Sequence, residues 1–355
     1  MGGWVDLDVR RYYKMKRILL LSLLATSGFS QTAEWIYYNK DGDTHNSVYR
    51  IKPDGTENEL IMDNAGISDI SEDGLKILFL DNNGIISLIN SESMDTLTLD
   101  NGGVNARFTY DENVIIYYKS MTGIQLYKYS FIDSSETLIA DSLNIFIDNQ
   151  IMSPDKQKLV FFQTNQDSFD VVIADIQSGQ TSTLETVSGM STPFPLHSYW
   201  GLDDYIYLNL RGNNYVPQLF RIHSSIGDAS PIQLTEENEH CMLLASNDTQ
   251  LEKLAFAILD TVREYWLYDF ESNETSYLGH IEGSGAPTHQ TWSPDNSKIA
   301  IGGVWATGIY TPGPINIFDT VTDSFTTLVD STCPPCFWVS ETDEQVSIID
   351  EILPI

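Results

Sequence analysis

The side chains of this sequence best suited to chemistry are its histidines, its cysteines and a set of aromatic and arginine residues on long connections. The histidines are His45, His197, His223, His240, His280 and His289. Imidazole titrates near neutral pH and is the commonest metal-ligating side chain. No two of them stand at the i, i+2 or i, i+4 spacing of a local zinc site. His197, His240 and His289 fall near equivalent points of a repeat. A metal site there would need all three to converge in space with Asp or Glu. Lone histidines are more often structural, so neither a metal nor another cofactor is expected.

Cys241, Cys333 and Cys336 are the cysteines. Cys333-Pro334-Pro335-Cys336 has the spacing of a redox motif, but a thiolate catalyst also needs a helix N-terminus beside it. Here the motif joins two strand-like runs, so the expectation is a local disulfide between Cys333 and Cys336 or two free thiols. Cys241 precedes Met242-Leu243-Leu244 and reads as a buried apolar residue. The run Asn39-Lys40-Asp41-Gly42-Asp43-Thr44-His45-Asn46 is acidic and loop-like. Against an EF-hand template begun at Asn39, position six is Thr44 and position twelve is Arg50, so the template fails and a polar turn is expected. No Gly-x-Ser-x-Gly elbow, phosphate-binding Gly loop or dinucleotide fold unit is present.

The elements that must position these residues are strands. From Trp35 onward an apolar strand, an Asp-bearing turn and a β-branched or aromatic strand recur. The turn residues Asp73, Asp111, Asp155, Asp203, Asp248, Asp295 and Asp343 are spaced by 38, 44, 48, 45, 47 and 48 residues. Strand repeats of this length indicate a β-propeller with four-stranded blades. No window after the leader holds a helical period. Seven third-strand segments can be read, which predicts an all-β, single-domain propeller of seven blades of four antiparallel strands, with six or eight as the alternatives. The inner strand missing before Trp35 is expected from the C-terminal run 336–340, which would close the ring and remove an open edge. Residues 345–350 also read as a strand and compete for the slot of 35–39.

Three turns carry a family resemblance. Ser71-Glu72-Asp73-Gly74, Ser153-Pro154-Asp155 and Trp292-Ser293-Pro294-Asp295 resemble the repeat of TolB-like (WD40-like, PD40-repeat) β-propellers, and Tyr49-Arg50-Ile51-Lys52-Pro53-Asp54-Gly55 is similar to that repeat's third strand and turn. The resemblance spans about residues 35–350. Tyr110-Asp111-Glu112-Asn113 and Gly201-Leu202-Asp203-Asp204 keep the turn without Ser-Pro. The resemblance implies an exported binding or scaffold module, or a propeller domain of a larger enzyme, but fold alone does not transfer activity.

Composition narrows the partner. Asp and Glu number 50 against 19 Lys and Arg, a formal charge of -31, which repels nucleic acid and anionic lipid. An acidic channel would favour a cationic or neutral partner. Residues 1–30 read as a signal peptide, with Met15-Lys16-Arg17, an apolar run and Gly28-Phe29-Ser30 ahead of Gln31, and residues 1–14 as a mis-called start. The domain then runs over 31–355, periplasmic or secreted, with no transmembrane anchor after cleavage. The repeated Asp turns share one face and are expected to be structural. The opposite face has long connections in blades five to seven, at 186–195, 211–217, 282–289 and 302–314. With the junction before Cys241, they carry Arg211, Tyr215, His240, His289, Trp305 and Tyr310, residue types suited to binding anchors. The expected function is non-catalytic binding there of an envelope or extracellular protein or a small extended ligand. The alternative is a propeller enzyme of polysaccharide lyase or hydrolase type with a channel-mouth His site.

Overall fold

The computed structural model of the protein describes residues between 33 and 341. Residues 1–32, 342–355 and the connections 42–45, 92, 102, 121–123, 144–150, 165–167, 189–190, 212–216, 226–229, 236–240, 247–252, 260–262, 273, 282–288, 303, 307–308, 312 and 333–334 lie outside the described residues. The described chain is strands and turns, with no helix.

Seven four-stranded antiparallel sheets form the blades. Blades two to six each use four consecutive strands, starting at Ala65–Ile70, Gly103–Phe108, Ile151–Met152, Ser191–Trp200 and Cys241–Ser246. Blade seven uses His289–Trp292, Lys298–Gly302, Gly313–Asp319 and Ser324–Thr332. Blade one is closed from both ends of the chain. Ala33–Asp41, Asn46–Ile51 and Glu59–Asp63 supply its outer three strands, and Pro335–Glu341 pairs antiparallel with the first of them as the inner strand. Trp35 lies opposite Val339 and Ile36 opposite Trp338. The closure expected of residues 336–340 is therefore present, whereas the competing run 345–350 lies outside the described residues.

The core sits between blades. Each second strand is buried on both faces, which is why it reads as a continuous apolar run: Ile36-Tyr37-Tyr38, Ile77-Leu78-Phe79, Ile115-Ile116-Tyr117-Tyr118 and Leu159-Val160-Phe161-Phe162 are all buried. Seven apolar clusters result, one between each neighbouring pair of blades. The seventh joins Ile36, Tyr38 and Ile51 of blade one to Ala300, Ile315 and Ile317 of blade seven, so the ring closes through packing as well as through hydrogen bonds. Burying one such side chain contributes roughly 1.5–3 kcal/mol.

One expected connection is corrected. Residues 186–195 are mostly strand rather than loop: Thr181–Ser188 and Ser191–Trp200 leave only two residues between them. Pro193 and Pro195 hide the second strand in the sequence. An inner strand has its free edge toward the axis, where a missing N–H costs no ladder bond, and its pairing slips between Phe194 and Tyr199.

Candidate functional site

Antiparallel strands alternate in direction. In every blade the first-to-second and third-to-fourth turns therefore lie on one face of the ring, the turn face. The second-to-third connections and inter-blade crossings lie on the other, the loop face.

The turn face is locked by local hydrogen bonds. Ser71 Oγ donates to Asp73 Oδ1 at 2.6 Å and accepts the Lys76 N–H at 2.8 Å, while Asp73 Oδ1 accepts the Leu75 N–H at 2.9 Å. Ser153 with Asp155 and Lys158, and Ser293 with Asp295 and Lys298, repeat the arrangement. The residue after Asp73, Asp155, Asp203 and Asp295 is left-handed: Gly74 at φ 75°, Lys156 at 51°, Asp204 at 63° and Asn296 at 59°. The turns at Asp111 and Asp203, which lack the Ser as well as the Pro, keep the Asp contact, with Asn113 N–H donating to Asp111 at 2.9 Å and Tyr205 N–H to Asp203 at 3.3 Å. Asp248 and Asp343 lie outside the described residues.

Third-to-fourth turns use a related device. Asp175, Asp269 and Asp319 accept the backbone N–H of Ser178, Ser272 and Thr322 at 2.7, 2.8 and 2.9 Å. These bonds hold the three carboxyls below the usual range. At Asp295 partial burial pushes upward, but hydrogen bonds from Ser293 and Ser297 outweigh it and the carboxyl is again lowered. The turn carboxylates are thus occupied with their own backbone.

On the loop face, the backbone places four of the candidate residues at or beyond the strand ends. Arg211 ends the second strand of blade five, opposite Ser191 and Pro217. His289 opens the inner strand of blade seven, opposite Gly302. The connection 302–314 is not a plain loop. It holds a separate two-stranded ribbon, Val304–Ala306 against Ile309–Thr311, in which Trp305 and Tyr310 are direct partners. The corresponding connection of blade two is a tight turn, with the Gly84 N–H donating to Asp81 O at 3.0 Å. Tyr215 and His240 lie outside the described residues, as does Cys333. Cys336 lies in the closing strand and Cys241 opens the inner strand of blade six.

Two histidines have local roles. The His223 ring meets Tyr205 edge-on at 4.8 Å and its Nδ1 accepts the Ser225 N–H at 3.1 Å. The Nδ1 of exposed His280 lies 2.9 Å from the Tyr277 hydroxyl on the outer strand of blade six. Backbone positions put His197 within the inner strand of blade five. Of the acidic run, Asn39, Lys40 and Asp41 end the first described strand of blade one and Asn46 opens the next, while His45 lies outside the described residues. Among the described residues no group of three His, Cys, Asp or Glu side chains could hold a metal ion. No helix among them is long and apolar enough to cross a membrane.

Sequence reasoning missed a channel-lining pair, Asp69 and Arg107, at 3.5 Å. The two are 38 residues apart and meet only because neighbouring inner strands carry them.

TolB from Acinetobacter baumannii superposes with a TM-score of 0.55 at 12% identity, over 90% of this chain and 70% of that one. The fold is TolB-like. This TolB-like propeller is also similar to an oligogalacturonate lyase from Vibrio parahaemolyticus, with a TM-score of 0.58 at 15% identity over 84% and 85% of the two chains. A prolyl endopeptidase gives 0.62 at 12% identity over 94% of this chain and 57% of that one. Identities this low speak for fold and not for activity. No family model and no curated protein sequence matches the chain.

Proposed function

We propose that this protein is an exported propeller that binds an envelope or extracellular protein, or a small extended ligand, on the loop face over blades five to seven. The observation that carries the reading is the ribbon of blade seven. It is an insertion into one second-to-third connection, and it sets Trp305 and Tyr310 opposite each other beyond the rigid blade. Aromatic residues on a ribbon braced by a fixed scaffold suit a binding anchor. Arg211 and His289 stand at the same face, with Tyr215 and His240 proposed to complete the patch. The leader-like residues 1–30 support export to a periplasm or medium.

The competing reading is a channel-mouth enzyme drawing on His197, His240 or His289, supported by the likeness in fold to the lyase. Capture from the native envelope fraction separates the two. The wild type should retain a partner that the Arg211→Ala/Trp305→Ala double variant loses. Equal capture by both would count against the patch, and a stoichiometric transition metal in the purified protein would favour the enzyme.

A further inference from the structure

Arg107 belongs to the inner strand of blade three, and Phe337 to the inner strand of blade one. The Arg107 guanidinium carbon nevertheless lies 5.9 Å from the centre of the Phe337 ring. Blade two stands between them, so the side chain crosses the axial channel in front of it. Asp69, on blade two's inner strand, meets the guanidinium on the way, with Oδ1 3.5 Å from Nη1. Its other oxygen accepts the Phe108 N–H at 2.8 Å, which fixes the carboxylate against the free inner edge of blade three. Pairing slips between Ile67 and Asp69 and again between Val104 and Arg107, where Asn105 is left-handed at φ 51°. Bulges of this kind re-aim side chains out of the ladder.

Lys156, from the turn of blade four, also acts on the Asp69 carboxyl, which burial pushes up while Arg107 and Lys156 pull it down. The ion-pair partner of Lys156 is Glu72 at 3.2 Å, but that side chain is 80% exposed and screened by water. Arg107 and Lys156 therefore both act on a partly buried carboxylate whose side chain is 15% exposed, inside a chain of net charge -31. The Arg107 side chain is 37% exposed and is bound at 3.5 Å through one nitrogen only among the described residues. A guanidinium is a planar fork that takes a carboxylate through two parallel N–H bonds.

We infer that Arg107, held in the channel between Phe337 and Asp69, anchors a binding site for a small carboxylate. Such an anchor would set one cationic group at the turn-face end of the channel of an otherwise acidic chain. The site stands apart from the loop-face patch, and the two fail separately: that patch is scored by partner capture, this site by a free anion.

The test is fluorine NMR of trifluoroacetate titrated into the full chain, with acetate as competitor and chloride at equal ionic strength as control. The wild type should show a saturable shift with a dissociation constant on the order of 10 mM, displaced by acetate and not by chloride. Arg107→Gln should weaken it at least about tenfold, and Arg107→Lys, which keeps charge without the fork, about threefold. Asp69→Asn keeps an acceptor for the Phe108 N–H and removes the competing carboxylate, so it should tighten binding several-fold. No saturable shift in the wild type, or one unchanged in Arg107→Gln of unaltered stability, overturns the inference. If Arg107→Gln does not fold, failure of Arg107→Lys and Asp69→Asn to move binding in opposite directions overturns it equally.

Discussion

Ser71→Ala separates a structural turn from a functional one. Ser71 is fully buried, and its hydroxyl donates to Asp73 at 2.6 Å while accepting the Lys76 N–H at 2.8 Å. Alanine removes both bonds and adds no strain. Leaving the Lys76 N–H buried without that acceptor costs about 1–3 kcal/mol, and losing a charge-assisted bond to Asp73 adds about 1.5–3 kcal/mol. Asp73 keeps the Leu75 N–H at 2.9 Å and can recruit water, which returns part of the second cost. A loss of about 2–4 kcal/mol is expected. At roughly 2 °C per kcal/mol for a chain of this size, Tm falls by about 4–8 °C. Urea unfolding gives the free energy, heating gives Tm, and capture of the loop-face partner is measured alongside. Stability should fall while capture of folded protein is unchanged. A loss below about 0.5 kcal/mol, or lost capture at full stability, would refute the reasoning.

Three further outcomes follow from the same geometry. Gly279 sits at φ +150°, and a Cβ there would lie 2.5 Å from Phe325 Cε2, so Gly279→Ala should lower stability by about 1–3 kcal/mol in urea titrations, as overpacking does. Deleting 333–355 removes the inner strand of blade one, with the Trp338 Nε1–H to Glu34 bond at 3.0 Å and the Trp338 N–H to Thr291 bond at 3.1 Å; circular dichroism should show a broadened transition at least 10 °C lower by roughly the scaling of lost contacts. Asp175, Asp269 and Asp319 have lowered folded pKa values, so their contribution is complete above the unfolded carboxylate value near ~3.9 and is lost as pH falls below it. Asp69 acts with the opposite sign, because burial raises its folded value. Its contribution is present below the ordinary carboxylate range and lost as pH rises through the raised value. Denaturation midpoints between pH 7 and pH 3 should therefore fall mainly below about pH 4, and Asp69→Asn should remove any loss of stability seen as pH rises above the ordinary carboxylate range.

The turns were legible because their chemistry is local. Ser71, Asp73 and Lys76 stand within five residues of one another, and a carboxylate two residues ahead of a free N–H announces an Asx turn. Closure by Pro335–Glu341 followed from counting strands, since a ring with one inner strand short must borrow it. The inner strand Ser191–Trp200 was hidden by its two prolines. The ribbon carrying Trp305 and Tyr310 was hidden by its length, three residues a side, which is too short for periodicity to register. Contacts across the channel were beyond sequence altogether. That Arg107 of blade three passes blade two to reach Phe337 depends on bulges at Asp69 and Arg107, which shift side chains without leaving a compositional trace.

The central claim is that the protein partner docks on the loop face and that the turns of the opposite face are scaffold. Site-specific photocrosslinking in the native envelope tests it directly, with the photoreactive residue placed either at Ile309 in the ribbon or at Leu202, which is half exposed on the turn face. A discrete adduct from position 309 and none from position 202 is the predicted result. An adduct from position 202 with none from position 309 would contradict the account.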